Sequence, residues 1–305
     1  MKKFQVDGTS NSVLLNKNKG YFAVSYYDNN IVSIYNYLTG NLLKELKTFY
    51  CSASSNILVG NDKYFCYLVS AKEVIVADAD SFETLHTLKL SHCGAVNSLS
   101  LKGDKLLVGA NKAIGNNADY YQNIFLFDLE KRSSSALTDG KHYVKKAILL
   151  SNSIVAFCNR SVDFSYLDIF LENHIYREEI IDTGNVEYFN LLPSDKDLYV
   201  VAKVIDNDII KHNVYLYNEN NNKITDVKNS FDNIDIHTGY VRENGNSYLV
   251  VFDKNIAKYT LLVTNGFDGR VGNTVLGVSV ITESVAVDDT YFCFGADKSI
   301  YFVEV

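Results

Sequence analysis

One short pattern returns along the whole chain: a turn, then alternating apolar residues that end in an aromatic or aliphatic residue followed by a polar one. It reads Ile31-Val32-Ser33-Ile34-Tyr35-Asn36, Val74-Ile75-Val76-Ala77-Asp78 and Ile124-Phe125-Leu126-Phe127-Asp128. Looser copies are Leu167-Asp168-Ile169-Phe170-Leu171, Val214-Tyr215-Leu216-Tyr217-Asn218, Tyr259-Thr260-Leu261-Leu262 and Ile300-Tyr301-Phe302-Val303-Glu304. Their anchor positions are 35, 77, 127, 170, 217, 262 and 303, spaced by 42, 50, 43, 47, 45 and 41 residues. Period-2 alternation is what a strand with one buried face requires.

A period of about 45 residues, with room for four short strands in each copy, is that of a β-propeller blade. The sequence therefore predicts an all-β, seven-bladed β-propeller occupying residues 1–305 as a single domain. In the third copy the four strands are expected at 96–102, 105–110, 124–129 and 134–138. Asp28-Asn29-Asn30 and Ala296-Asp297-Lys298-Ser299 read as tight turns, because Asx side chains bond local backbone and tolerate positive φ. The 22 Tyr and 17 Phe favour strands, and no long apolar stripe of period 3.6 offers a helix.

The seventh copy ends one strand short at Val305, and residues 2–6 form a spare strand ahead of the first copy. Pairing that N-terminal strand onto the last blade would close the ring and cover an open sheet edge.

Several chemistries are missing. Net charge is −7, which argues against broad phosphate-backbone binding. Lys2 and Lys3 are followed by no apolar h-region, and no run approaches ~18 apolar residues, so neither a signal peptide nor a membrane-spanning helix is expected. Five cysteines without framework spacing suit a reducing compartment, and the chain reads as cytoplasmic. Walker A, dinucleotide, His-Glu-x-x-His and Gly-x-Ser-x-Gly patterns are absent. His86, His92 and Cys93, with Cys51 or Cys66, follow no zinc template and read as incidental. The expectation is no catalytic residue, no metal and no cofactor.

Phe127-Asp128 stands where WD repeats place Trp-Asp, with Ala77-Asp78 and Tyr35-Asn36 as looser versions, so the blades resemble divergent WD repeats. Trp and the Gly-His dipeptide are absent, and Tyr and Phe packing must hold the blades instead. A narrower resemblance joins Met1-Lys2 with Gly8, Asp28-Asn29-Asn30-Ile31-Val32, Thr39-Gly40-Asn41-Leu42, the long hairpin from Ala110 to Gln122, and Phe267-Asp268-Gly269-Arg270-Val271-Gly272-Asn273. These stretches are similar to subunit i of eukaryotic translation initiation factor three. That family's glycine-rich segment in blade six is replaced here by Val250-Val251-Phe252-Asp253-Lys254-Asn255-Ile256.

The resemblance implies a non-catalytic scaffold that docks subunits b and g near the small ribosomal subunit. Acidic residues gather in blades five and six, at Asp195, Asp197, Asp206, Asp208, Asp226, Asp232 and Asp235. Asp206, Asp208, Asp232 and Asp235 are the candidate partner-binding residues, as a negative patch that registers a basic segment; turn formation on a solvated face is the plainer reading. Lys17, Lys19, Lys44 and Lys47, and Lys141, Lys145 and Lys146, read as solvating charge, making direct nucleic-acid contact minor or absent. Alternative roles are a ribosome-associated or signalling scaffold like the receptor for activated C kinase, or a coat or nuclear-pore propeller.

Overall fold

The computed structural model describes the backbone except at residues 49–56, 92, 112–123, 138–142, 152, 162–163, 172–173, 179–185, 195–196, 207–208, 222, 232, 268 and 280. Side chains are described over the same residues less 143, 156–189, 204–210, 226–231, 269–270 and 283–284.

Strand β1 (Lys2–Gln5) precedes the repeats. The first copy gives β2 (Ser10–Asn16), β3 (Tyr21–Tyr26), β4 (Ile31–Asn36) and β5 (Leu42–Lys47). The second gives β6 (Leu58–Gly60), β7 (Tyr64–Ser70), β8 (Glu73–Asp78) and β9 (Thr84–Lys89). The third gives β10 (Val96–Lys102), β11 (Lys105–Ala110), β12 (Ile124–Asp128) and β13 (Ser133–Ala136). The fourth gives β14 (Tyr143–Leu149), β15 (Ser153–Ser161), β16 (Phe164–Leu171) and β17 (His174–Glu178). The fifth gives β18 (Val186–Pro193), β19 (Leu198–Asp206), β20 (Ile209–Asn218) and β21 (Lys223–Phe231). The sixth gives β22 (Ile234–Val241), β23 (Asn246–Asp253), β24 (Lys258–Asn265) and β25 (Gly269–Val275). The last gives β26 (Ile281–Val287), β27 (Tyr291–Ala296) and β28 (Ser299–Glu304).

Among the described residues these strands form seven four-stranded sheets, with antiparallel neighbours in chain order. The first strand of each copy lies innermost. β2 packs on β26 and β6, β10 on β6 and β14, and β22 on β18 and β26, while β18 meets β15 and β16. The sheets thus follow one another round a ring, and the fold is an all-β propeller. Its core is a set of apolar layers, one at each junction between neighbouring sheets. Leu14, Ile34, Phe65 and Ala77 fill the layer between the first and second sheets. Tyr240, Val250, Phe292 and Phe294 fill that between the sixth and seventh. With no Trp in the chain, aromatic pairs such as Phe22–Tyr35 (5.1 Å) and Phe294–Tyr301 (5.2 Å) pack these layers, each worth about 1 kcal/mol beyond the area it buries.

The spare N-terminal strand closes the ring. β1 pairs antiparallel with β28, Lys2 opposite Phe302 and Gln5 opposite Ser299. The Phe4 ring packs on Phe22 and Phe302 at 5.4 and 5.3 Å, bridging the first and seventh sheets. Past β1, Val6 N–H donates to the Lys298 carbonyl and Ser10 N–H to that of Asp297. β28 is therefore a covered strand.

The polar residue ending four of the anchors has a local cause. Asn36 Oδ1 accepts the amides of Leu38 and Thr39, and Asp78 Oδ1 those of Asp80 and Ser81. Asp128 accepts Lys131 N–H, and Asn218 those of Asn220 and Asn221. A carboxylate or amide oxygen there organises the turn into the outermost strand. The long hairpin after Ala110 lies largely outside the described residues.

Candidate partner-binding surface

Asp206 ends β19 and pairs with Ile209, the first residue of β20. Asp208 and Asp232 lie outside the described residues, as does the Asp206 side chain. The described geometry of the predicted patch is therefore that of Asp235 alone. It sits on β22, half-buried, with its carboxylate 2.9 Å from Lys254 Nζ and 3.5 Å from His212 Nε2. His212, on β20, is buried, and its Nδ1 finds no hydrogen-bond partner among the described residues. Burial pushes the imidazole down to about 4; Asp235 pulls the other way, and Lys254, Lys203 and His237 add to the depression. His212 is thus a neutral core histidine at the joint between the fifth and sixth sheets. A cation approaching Asp235 must compete with Lys254.

The lysines are committed more fully than solvating charge would be. Lys17 reaches Asp289 (3.3 Å) and Thr290 Oγ1 (2.6 Å), tying the first sheet to the seventh. Lys19 reaches Asp80 at 2.6 Å and Lys63 reaches Asp104 at 2.9 Å, each crossing to the next sheet. Lys44 donates to the Ser81 carbonyl, and Lys146 to that of Leu191. Lys145 is exposed, and Lys141 lies outside the described residues. Exposed pairs of this kind are screened by solvent and add little stability, so their role is register more than strength.

Buried polar side chains do similar work at the hub. Ser12 Oγ accepts Ile57 N–H, Asn97 Nδ2 donates to the Val144 carbonyl, and Ser98 Oγ accepts Ala147 N–H. Asn16 donates to the Asn61 carbonyl and Asn61 to that of Gly103, stepping from sheet to sheet. These residues escaped the sequence reading. Their signal was available in Asn16 and Asn61, which stand one repeat apart. A hub cavity of about 260 Å³ is lined by Leu14, Leu58, Leu99, Ala147 and Ala286 among others.

The described members of the His and Cys group, Cys66, His86 and Cys93, do not gather as metal ligands. Cys66 and His86 lie on strands either side of β8, opposite Val76, which sets their backbones about 10 Å apart. Cys66 and Cys93 are buried, and burial pushes both thiols up. Cys51 and His92 lie outside the described residues. Among the described residues no three His, Cys, Asp or Glu side chains gather as metal ligands.

No protein-family model matches the chain, and no curated protein matches its sequence. Solved structures match its fold. The Neurospora crassa Pan2 WD40 domain superposes with a TM-score of 0.68 at 11% identity, over 97% of this chain and 88% of that one. The β-propeller domain of Myceliophteria thermophila Cps50 (Swd1) gives 0.72 at 12% identity, over 100% and 98%. Kuenenia stuttgartiensis hydrazine synthase gives 0.65 at 13%, over 98% and 96%. The fold is a β-propeller like those of WD40 domains.

Proposed function

We propose that residues 1–305 act as one seven-bladed propeller whose role is that of a non-catalytic scaffold. Within that class the chain serves in the cytoplasm as subunit i of eukaryotic translation initiation factor three, docking subunits b and g near the small ribosomal subunit. The observation that carries the scaffold reading is the use of the hub's polar groups. Ser12, Asn97 and Ser98 bond the backbone of the next sheet, which makes a rigid ring and leaves its rim and turns to partners. The finer assignment rests on the resemblance in the Asp28, Thr39-Gly40 and Gly269-Arg270-Val271 stretches. Two of these lie near the clasp: Asp28 accepts Thr9 N–H just past β1, and Gly40 faces Phe4.

Affinity purification from the source cell at moderate salt, read by mass spectrometry, tests the reading. Recovery of subunits b and g supports it; recovery of ribosomes alone, or of coat or nuclear-pore components, replaces it with another scaffold role. Reversing charge at Asp206 and Asp208 should weaken capture of subunit b. Undiminished capture removes the acidic patch while leaving the complex assignment standing.

A further inference from the structure

Three neighbouring junctions at the rim of the ring can be compared, and they are filled differently. Between the seventh and first sheets, the Phe4 ring is pressed against Gly40. Between the first and second, Phe82 of the β8–β9 turn does the equivalent work. Its ring lies 5.2 Å from both Tyr21 and Phe65, with Lys44 Nζ 5.4 Å from its centroid. Phe82 stands four residues after the turn-organising Asp78 and has a φ of 57°.

The residue in that place in the third sheet is Arg132, four residues after Asp128, with a φ of 54°. Its exposed side chain does not plug the junction. A groove of about 470 Å³ remains between β9 and β12–β13, lined by Leu85, Leu88, Lys89, Phe127, Leu129 and Arg132 among others. Leu85 is 46% exposed there. Asp128 is already taken by Lys105 and Lys131, and Lys89 lies 3.5 Å from Glu73. Arg132 makes no ion pair among the described residues. On a chain of net charge −7, a groove where Leu85, Leu88, Phe127 and Leu129 meet a guanidinium with no ion pair among the described residues runs against the average surface.

We infer that this groove docks a short acidic segment of another protein that carries an aromatic side chain. The ring enters between Leu85, Leu88 and Phe127, as Phe4 and Phe82 enter their own junctions, and a flanking carboxylate pairs with Arg132. The adjacent junctions supply the shape argument and Arg132 supplies the charge. Neither depends on the assignment to the initiation-factor complex. A nucleic acid fits less well, because the Lys89 and Arg132 cations that line the groove neutralise little phosphate and Asp128 lies beside them.

The test is fluorescence anisotropy of the full chain with a labelled peptide in which one phenylalanine is flanked by glutamates. Saturable binding is expected, weakened about fivefold or more by Arg132→Glu. Arg132→Phe, which fills the slot as Phe82 fills its own, should abolish it. Exchanging the peptide's phenylalanine for alanine, or its glutamates for lysines, should do the same. Thermal melts of both variants should match the parent, since the residue is exposed. The inference is overturned by no saturation at millimolar peptide, by Arg132→Phe binding like the parent, or by equal binding of the lysine peptide. An oligonucleotide competing for the slot would overturn it too, as would self-association of the free chain that Arg132→Phe removes, which would assign the groove to a second copy.

Discussion

The Phe4 ring lies against the bare Cα of Gly40, so close that a Cβ at position 40 would stand 2.5 Å from Phe4 Cδ1. Position 40 needs glycine twice over, for this contact and for its φ of 72°. Gly20 has a similar φ of 74° with nothing within 4 Å of its Cβ position. In urea denaturation, Gly20→Ala should therefore cost only the backbone strain, about 1 kcal/mol. Gly40→Ala should cost roughly 1–3 kcal/mol more, because the ring must move. Equal losses would mean that Phe4 yields freely and the clasp is loose.

Deleting residues 1–7 should lower the melting temperature and broaden the species seen by size-exclusion chromatography with light scattering. The loss removes the β1–β28 pairing and bares a β28 edge open to another chain. An unchanged melting temperature with a single monomeric peak would show that the clasp contributes nothing.

Acid should destabilise the fold through His212. The unfolded imidazole takes up a proton near pH 6.5 and the folded one only near 4, so unfolding is favoured increasingly as pH falls through that window. Between pH 7 and 5 the loss from this residue is of order 2 kcal/mol. His212→Phe should lose that much less over the same range in denaturant titrations. Parallel pH profiles for the two proteins would place the acid sensitivity elsewhere.

Asn97→Ala should cost about 1–3 kcal/mol, since it strips the Val144 carbonyl of a donor inside the hub. Hydrogen exchange would report the damage at the joint between the third and fourth sheets first. Uniform loosening round the ring would instead mean that the hub responds as one unit.

The strands were readable where alternation and Asx turns coincided. In the third copy, β10 and β11 fall at the expected positions, and β13 begins one residue early and ends two short. Asp297, expected in a turn that tolerates positive φ, has a φ of 48°. The clasp was readable too, because an unpaired strand at one terminus met a missing one at the other. The hub was not. Asn97 and Val144 lie 47 residues apart, and the side chain addresses a carbonyl, which carries no residue identity. Charge counting likewise singled out Asp235 without showing that Lys254 and His212 already surround it. The slot beside Arg132 became visible only when the same turn could be compared across sheets.

The pairing of β1 with β28 also sets a timetable. Lys2 is made well before its partner Phe302, which is added about three hundred residues later. Until then Phe4 has Phe22 and Gly40 beside it but not Phe302, and the circle is completed only when β28 is in place. A chain cut short before β28 would therefore be an open ring with two unpaired borders, a natural target for quality control.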